Sequence, residues 1–230
     1  NLFSTKMATD YPDINFTPDF PRVADIASQI WHRAGHDDVD GVISVDPVFL
    51  QRLLKVAGPV TLSDGTVMSG DNAEQRILNQ IYIDTDTQAE QTDFFTMAAS
   101  EVFAHVLKNV GGKNQQLVQT FQESVSDGHL YVWSVHEDEQ RRISGTTIAG
   151  ELQSKPAHSV TGVYFNDATM GKMDWYLKRE VTSTYDKTYP SGAKQYAIHI
   201  KLTNTADAAK VNAAPDLLRG YDHNGNPRTG

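Results

Sequence analysis

The chain lacks cysteine altogether, although it is 230 residues long. Without cysteine there is no disulfide framework, no thiolate nucleophile and no metal site built on sulfur ligands. No apolar run approaches the ~18 residues that a membrane-spanning helix needs, and no signal peptide is visible. The absence of cysteine fits an exported protein. Because the sequence starts at Asn1 rather than at methionine, we expect any membrane anchor to lie upstream.

Basic side chains are scarce in the first two thirds of the sequence. Residues 1–150 carry 21 acidic and 10 basic side chains, whereas residues 151–230 carry 8 and 10. An acidic body repels phosphate backbones, so nucleic acid is excluded as an expected partner. The basic excess of the second part is too dilute for a membrane-binding patch, and we interpret it as solvated surface.

Complete catalytic fingerprints are missing too. There is no G-x-S-x-G motif, no P-loop and no dinucleotide-binding glycine pattern. With 39% hydrophobic residues and several periodic segments, the chain can nevertheless bury a core. The sequence therefore predicts a globular protein without specifying a reaction.

Helical periodicity dominates residues 1–150. Apolar residues recur at helical spacing after Asp19, which can cap the first turn, while Pro21 is tolerated near the start. Asp46 and Pro47 begin a second helix in the same way. Other helices are predicted over 71–82, 87–109, 114–126 and 137–143, strands over 39–45 and 129–135, and a hairpin over 60–67. This alternation is typical of an α/β layer.

From residue 160 onward the apolar period changes from 3.6 to 2. Strands are predicted over 160–166, 173–185 and 195–204, with a hairpin connection at 167–172. Alternating apolar positions predict one buried and one wet face of an antiparallel sheet: Tyr196, Ile198, Ile200 and Leu202. We therefore expect an α/β fold with a helix-covered mixed sheet followed by an antiparallel β region. The expected parts are an α/β domain over 1–150, the β region over 151–205 and an irregular tail over 206–230.

Several segments agree in order and spacing with a known family. They are Asn-Phe-Thr-Pro-Asp-Phe-Pro at 15–21, Val-Asp-Gly-Val-Ile-Ser-Val-Asp-Pro at 39–47, Gly-Pro-Val at 58–60, Leu-Tyr-Val-Trp-Ser at 130–134, Gly-Val-Tyr-Phe-Asn-Asp at 162–167 and Lys-Met-Asp-Trp-Tyr-Leu at 172–177. Together they resemble the domain-of-unknown-function family 4012 of Gram-positive, mostly actinobacterial, envelope proteins, over nearly the whole chain. The resemblance implies an extracytoplasmic body that a membrane anchor holds in the full-length protein. The family's usual glycine-rich stretch after the anchor is missing, so we expect the later part of a longer protein.

A second resemblance concerns the order of an asparagine-containing loop, a helix, a strand with Val-Asp and a helix ending in Gly-Pro-Val. This order is similar to the middle of LytR–CpsA–Psr proteins. Those enzymes transfer glycan polymers from a polyprenyl pyrophosphate carrier to peptidoglycan, using arginines and acidic residues around a magnesium pyrophosphate. Their arginine-rich catalytic strands lie mostly before this segment, so in this chain we expect those residues to be absent or elsewhere.

Four residues are the ligand-binding candidates: Asn15, Asp19, Arg22 and Asp40. Polar groups held between prolines often shape a binding edge, and Arg22 could meet an anion at the start of the first helix, assisted by the helix dipole. The structural alternative is that Asn15 only ties down its own backbone in a local turn. No catalytic residue is predicted.

One histidine and four aspartates crowd a short region, which could indicate a divalent cation: His36, Asp37, Asp38, Asp40 and Asp46. A helix cap at Asp46 and a solvated loop explain them without a metal. His32 and His36 have the spacing of a zinc pair, but Gly35 ends the helix between them. Residues 222–226 resemble the start of a calcium loop, and Pro227 stands where that loop needs glycine. We therefore predict no metal site.

The leading functional expectation is a module of envelope or cell-surface glycan assembly that is non-catalytic as it stands. Its expected partners are cell-wall glycan or lipid-linked glycan, with the membrane reached only through the upstream anchor, and no cofactor. The first alternative is part of a phosphotransferase or pyrophosphatase that acts on polyprenyl-pyrophosphate-linked glycan, and only this alternative requires magnesium. It needs a groove with two converging arginines and a carboxylate. The second is a protein–protein adaptor, which would show a contiguous apolar patch on the β region.

Overall fold

The computed structural model describes residues 11–152, 160–166, 171–221 and 226. Its α-helices are α1 (Phe20–Arg33), α2 (Pro47–Ala57), α3 (Ala73–Gln75), α4 (Ile81–Asp84), α5 (Gln88–Asn109), α6 (Asn114–Ser126), α7 (Glu137–Ile143), α8 (Ala208–Ala213) and α9 (Asp216–Arg219). Its strands are β1 (Gly41–Val45), β2 (Val60–Thr61), β3 (Val67–Met68), β4 (Leu130–Ser134), β5 (Leu177–Thr188) and β6 (Lys194–Asn204). Single turns of 3₁₀ or π-helix occupy Tyr11–Phe16, Arg76–Gln80, Thr147–Ala149 and Met173–Tyr176.

The α/β class that the sequence predicts is confirmed. The described strands form three two-stranded antiparallel sheets, in which β1 pairs with β4, β2 with β3 and β5 with β6. The first 150 residues therefore hold antiparallel pairs and not the mixed sheet that we expected. The alternation of helices and strands does not decide whether two strands pair in parallel or antiparallel. The direction of β4 relative to β1 depends on the end of β1 at which α6 leads into β4.

Two compact units make up the chain, and they interleave along the sequence. The first consists of Asn1–Ile77 and Phe95–Asn166, and the second of Leu78–Phe94 and Asp167–Gly230. A change of unit thus falls inside α5, whereas the sequence led us to expect consecutive segments that divide near residue 150. The units are defined by which residues are in contact, and not by their order in the sequence. One continuous helix can therefore contribute residues to both units.

In the first unit, α1 lies where the sequence predicts it. The helix ends at Arg33, and Gly35 follows with a φ of +88°. Asp19 precedes the helix, but its side chain does not cap it, so this detail of the prediction is wrong. Its Oδ1 instead accepts a hydrogen bond from the Leu152 N–H at 3.0 Å. A segment distant in sequence therefore uses the carboxylate that local reasoning assigned to the helix.

The helix α2 carries the largest block of the first unit's core. One of its faces is fully buried: Phe49, Leu50, Leu53, Leu54 and Ala57. As predicted, Asp46 caps this helix, with its Oδ1 accepting a hydrogen bond from the Phe49 N–H at 2.9 Å. The other oxygen, Oδ2, lies 2.6 Å from Nδ1 of His129. Asp46 therefore joins the start of α2 to the segment that leads into β4.

The helix α5 begins with a capping box that the sequence contains and that we did not predict. The Thr87 hydroxyl accepts a hydrogen bond from the Glu90 N–H at 3.2 Å, and Glu90 Oε2 accepts one from the Thr87 N–H at 2.9 Å. Hydrogen bonds from the Thr87 hydroxyl and from the backbone N–H groups of Thr87 and Asp86 hold the pKa of the Glu90 carboxyl below its usual range.

The apolar face of α5 is narrower than expected, because Leu107 is 79% exposed.

The β region differs from the prediction in two described segments. Residues 160–166 form no strand, and Met173–Tyr176 is a 3₁₀ turn before β5 begins. The predicted connection at 167–172 lies largely outside the described residues. The hairpin in this region is made instead by β5 and β6, paired from Leu177↔Asn204 to Thr188↔Lys194. A period of two identifies extended chain, but pairing requires a partner strand within reach.

The tail that we expected to be irregular contains α8 and α9. Asp207 caps α8, since its Oδ1 accepts hydrogen bonds from Ala209 N–H at 2.9 Å and Lys210 N–H at 3.3 Å. Val211 and Leu218 are buried. These helices are too short to show apolar periodicity, which is why the sequence did not reveal them. No helix in the described ranges is long and apolar enough to span a bilayer.

Candidate functional site

A groove of about 800 Å³ lies on the first unit, where α1, the start of β1 and the link from β4 to α7 meet. Besides Ser28, Val39 and Val135, its lining contains six strongly polar or charged residues, and we call it the polar groove: Gln29, His32, Arg33, Asp38, Asp40 and His136. The residues 34–40 that join α1 to β1 bring the two aspartates next to the last turn of α1. The groove therefore combines local neighbours with His136, which is distant in the sequence.

Two histidine–aspartate pairs organise this polar groove. His32 Nδ1 lies 2.8 Å from Asp38 Oδ1, and His136 Nε2 lies 3.1 Å from Asp40 Oδ1. Both carboxylates remain largely solvent-exposed. Besides the two histidines, the lining holds the two aspartates and one arginine, Arg33. The exposed carboxylates of Asp38 and Asp40 are therefore the groups of this groove that would attract a basic group on a ligand.

An apolar groove of about 560 Å³ adjoins the polar one and shares Ser28 and Val39 with it. Helix α1 and strand β1 form its walls: Ala27, Ile30, Trp31, Val42 and Ile43. Trp31 is held by stacking on His36, with 4.0 Å between ring centroids, and its Nε1–H donates to the Asp37 carbonyl at 3.1 Å. A half-exposed aromatic ring in a fixed orientation is therefore available to a ligand.

Of the four predicted candidates, only Asp40 lines the groove. Asn15 is exposed in the 3₁₀ segment Tyr11–Phe16, and the Asp19 carboxylate accepts a hydrogen bond from the Leu152 N–H. Arg22 is exposed and makes no ion pair within the part of the chain that the structure describes. The pattern of prolines located the loop, but the groove is centred on the other end of α1. The pairing of His136 with Asp40 had no signal in the sequence, because the two residues are 96 positions apart.

The acidic residues of the 36–46 segment are divided among different partners. Asp46 caps α2 and contacts His129, whereas Asp38 contacts His32 and Asp40 contacts His136. Among the described residues, no three histidine, aspartate or glutamate side chains converge as metal ligands would. The zinc-like pair does not form either, since His36 stacks on Trp31 while His32 contacts Asp38. Residues 222–225 lie outside the described ranges.

A second feature, on the second unit, is an apolar face of the β5–β6 hairpin, which we call the hairpin face. The register places Val181 opposite Ile200 and Tyr185 opposite Tyr196, all on one side. Ile198 and Leu202 complete it. These six side chains are between 39% and 56% exposed. The alternation that the sequence predicts is present, but the burial that we inferred from it is wrong, since the described residues leave this face open.

Sequence comparison bears on the first unit. Residues 1–82 match the family model described as a protein of unknown function, DUF4012. The resemblance that we stated is confirmed over this range, which includes α1, β1 and α2. The agreement at 130–134, 162–167 and 172–177 lies outside the DUF4012 match and stays a prediction, as does the similarity to LytR–CpsA–Psr proteins. No curated protein and no solved structure matches the chain.

The DUF4012 match covers all the residues named for the apolar groove and most of those in the polar one. Only Val135 and His136 of the polar lining lie beyond residue 82. The arrangement offers aligned charges and an aromatic wall, but only one arginine is present in the polar groove. Two converging arginines, which we required for pyrophosphate chemistry, are not found there.

Proposed function

We propose that the chain is a non-catalytic protein-interaction module of envelope or cell-surface glycan assembly, and that it self-associates through the hairpin face. The observation that carries the proposal is the contiguous exposed apolar stripe on β5 and β6. Its six side chains expose roughly 500 Å² of surface, a size typical of interaction patches. A two-stranded hairpin is also only marginally stable in water unless something covers its apolar face.

A second copy of the chain is the partner that fits this face. Two flat apolar stripes stacked about a two-fold axis form a four-stranded sandwich, in which each hairpin covers the other. Together the two stripes would bury about 1,000 Å², the lower limit for a specific interface. Arg179, on the same side of β5 as Val181, is already paired with Asp174. Stacking therefore does not bury an unpaired charge at this position.

The opposite side of the hairpin supports this assignment by contrast. There Glu180 faces Lys201, and Thr182 faces His199. The Lys201 Nζ–Glu180 Oε2 distance is 3.3 Å. Charged and hydroxyl side chains keep this side in water, so the hairpin presents one face for association and one for solvent.

The test of self-association is a charge placed in the hairpin face. We expect Ile200→Glu to weaken dimerisation by about 100-fold, because a carboxylate at the centre of an apolar interface loses its hydration without gaining a partner. The matched control is His199→Glu, one residue away on the solvent side, which should leave the dissociation constant unchanged. Sedimentation equilibrium over a wide concentration range measures both. A wild-type chain that stays monomeric throughout would refute the proposal.

The envelope setting rests on the family resemblance and needs a separate test. We expect the chain to co-sediment with purified Gram-positive cell walls or to bind vesicles that carry a polyprenyl-linked glycan. An unrelated protein of similar net charge serves as the control for non-specific binding. If neither material retains the chain above this control, the glycan-assembly part of the proposal fails while self-association remains open to its own test.

A further inference from the structure

Strand β1 pairs with β4 along one edge, and no strand of the described residues pairs with its other edge, which we call the open edge. The Val135 N–H donates to the Asp40 carbonyl at 3.0 Å, and the Ser134 N–H donates to Gln140 Oε1 at 2.9 Å. Antiparallel ladders alternate between hydrogen-bonded and non-hydrogen-bonded pairs. Asp40 and Val135 form a hydrogen-bonded pair. The Gly41↔Ser134 and Ile43↔Val132 pairs are therefore non-hydrogen-bonded pairs. The N–H and C=O groups of Gly41 and Ile43 consequently point away from β4.

The two outer edges of the β1–β4 sheet differ in whether described residues hydrogen-bond to their main chain. At the outer edge of β4, the side chain of Gln140 in α7 accepts the Ser134 N–H. At the outer edge of β1, no described residue hydrogen-bonds to the main chain of Gly41 or Ile43 from outside the ladder. An open strand edge is a template for another extended chain.

The apolar groove runs beside this open edge. A strand added to β1 would lie about 4.8 Å from it and would place alternate side chains toward α1. There they would meet Ile30, Val42 and Trp31, which is 48% exposed. Side chains on the other side would cover Ile43, which is 65% exposed. Main-chain hydrogen bonds and alternate apolar pockets are the two requirements of recognition by strand addition.

Charge marks one end of the apolar groove. At the start of β1 it continues into the polar groove, where Asp38 and Asp40 are exposed and Arg33 is the single arginine of the lining, beside His32 and His136. A basic side chain on the added strand would therefore be attracted to this end. An acidic one would be repelled.

We propose that the open edge of β1 and the apolar groove bind an extended peptide segment of a partner protein, with alternating apolar side chains and a basic residue beside Asp38 and Asp40. The segment joins the sheet as a third strand. This binding lies on the first unit and does not depend on the hairpin face.

The test uses capped synthetic peptides and the whole chain. One peptide reads Arg-Val-Ser-Val-Ser-Val, a second carries the arginine at its other end, and a third has glutamate in place of arginine. We expect one of the two arginine peptides to bind about tenfold more tightly than the glutamate peptide by fluorescence anisotropy. The preferred position of the arginine also reports whether the strand runs parallel or antiparallel to β1. Equal binding of all three, or none, overturns the proposal.

Hydrogen exchange of the Ile43 amide is the direct readout of strand addition. We expect the peptide to slow this exchange by about tenfold or more, because the added strand accepts its hydrogen bond. If the peptide binds without protecting Ile43, it occupies another site and the inference is wrong. Protection that instead rises with protein concentration in the absence of peptide would also overturn it, since β1 would then pair with a second copy.

Two substitutions complete the test. Ile43→Pro removes the outward N–H and spares the ladder to β4, so it should lower peptide affinity by about tenfold. Trp31→Glu removes the aromatic wall from an exposed position and should weaken binding to a similar extent even if the proline variant folds poorly. His199→Glu, on the second unit, serves as the control and should bind as the wild type does. Wild-type affinity in both groove variants contradicts the assignment.

Discussion

Replacing Gly150 by alanine should lower the free energy of unfolding by about 3 kcal/mol, the larger part of which comes from packing. Gly150 has a φ of +59°, a region that disfavours residues with a Cβ atom. A Cβ there would lie 2.8 Å from the Phe20 Cβ and 2.8 Å from Cδ1 of the Tyr131 ring. The Gly150 carbonyl also accepts the Phe20 N–H at 3.0 Å, so the segment cannot move away without breaking this bond.

The matched control for Gly150 is Gly145→Ala. Gly145 also has a positive φ, of +78°, but a Cβ there would have no atom within 4 Å. Its substitution should cost only the backbone strain, about 1 kcal/mol. Urea denaturation followed by circular dichroism measures both variants. Equal losses would show that Gly150 is not in tight contact with Phe20 of α1 and Tyr131 of β4.

A second large effect is expected at Leu54, which is 1% exposed in the core face of α2. Leu54→Ala removes buried methyl groups and leaves a cavity, so the free energy of unfolding should fall by about 2–5 kcal/mol. Leu107→Ala makes the same chemical change in α5 at a side chain that is 79% exposed, and should shift stability by less than about 0.5 kcal/mol.

The comparison of the two leucine variants has a clear outcome. Both lose the same atoms from a helix and gain the same small increase in helix propensity, so their difference reports burial alone. The difference in the free energy of unfolding is obtained from the midpoints and slopes of urea denaturation curves. A loss at Leu54 as small as that at Leu107 would mean that α2 does not carry the core of the first unit.

Local signals predicted the helices well, because they act over a few residues. Apolar spacing together with Asp46 and Pro47 placed α2 within a residue of its observed start, and glycines marked the ends of α1 and α2. The Thr87–Glu90 capping box was available to the same reasoning. The first turn of a helix must satisfy its own free N–H groups, so the residues that do this are close in sequence.

The groove residues had little signal in the sequence. Of the four ligand-binding candidates, Asp40 lines the polar groove. The prolines around Asn15 indicated an ordered loop, but nothing in the sequence placed that loop outside the groove. The contact of His136 with Asp40 joins residues from the two sequence segments of the first unit. No periodicity in a single sequence relates such distant residues.

The amino-acid sequence alone determined the α/β class, the positions of the main helices and of β1, β4 and β6, and the two-sided character of the hairpin. All of these depend on periodicity and on contacts between neighbouring residues. The tertiary structure alone decided the pairing directions, the assignment of Asp19 to Leu152, the open edge of β1 and the exposure of the hairpin face. Alternation tells which side chains share a face, but burial of that face depends on what packs against it, and that is a property of distant segments.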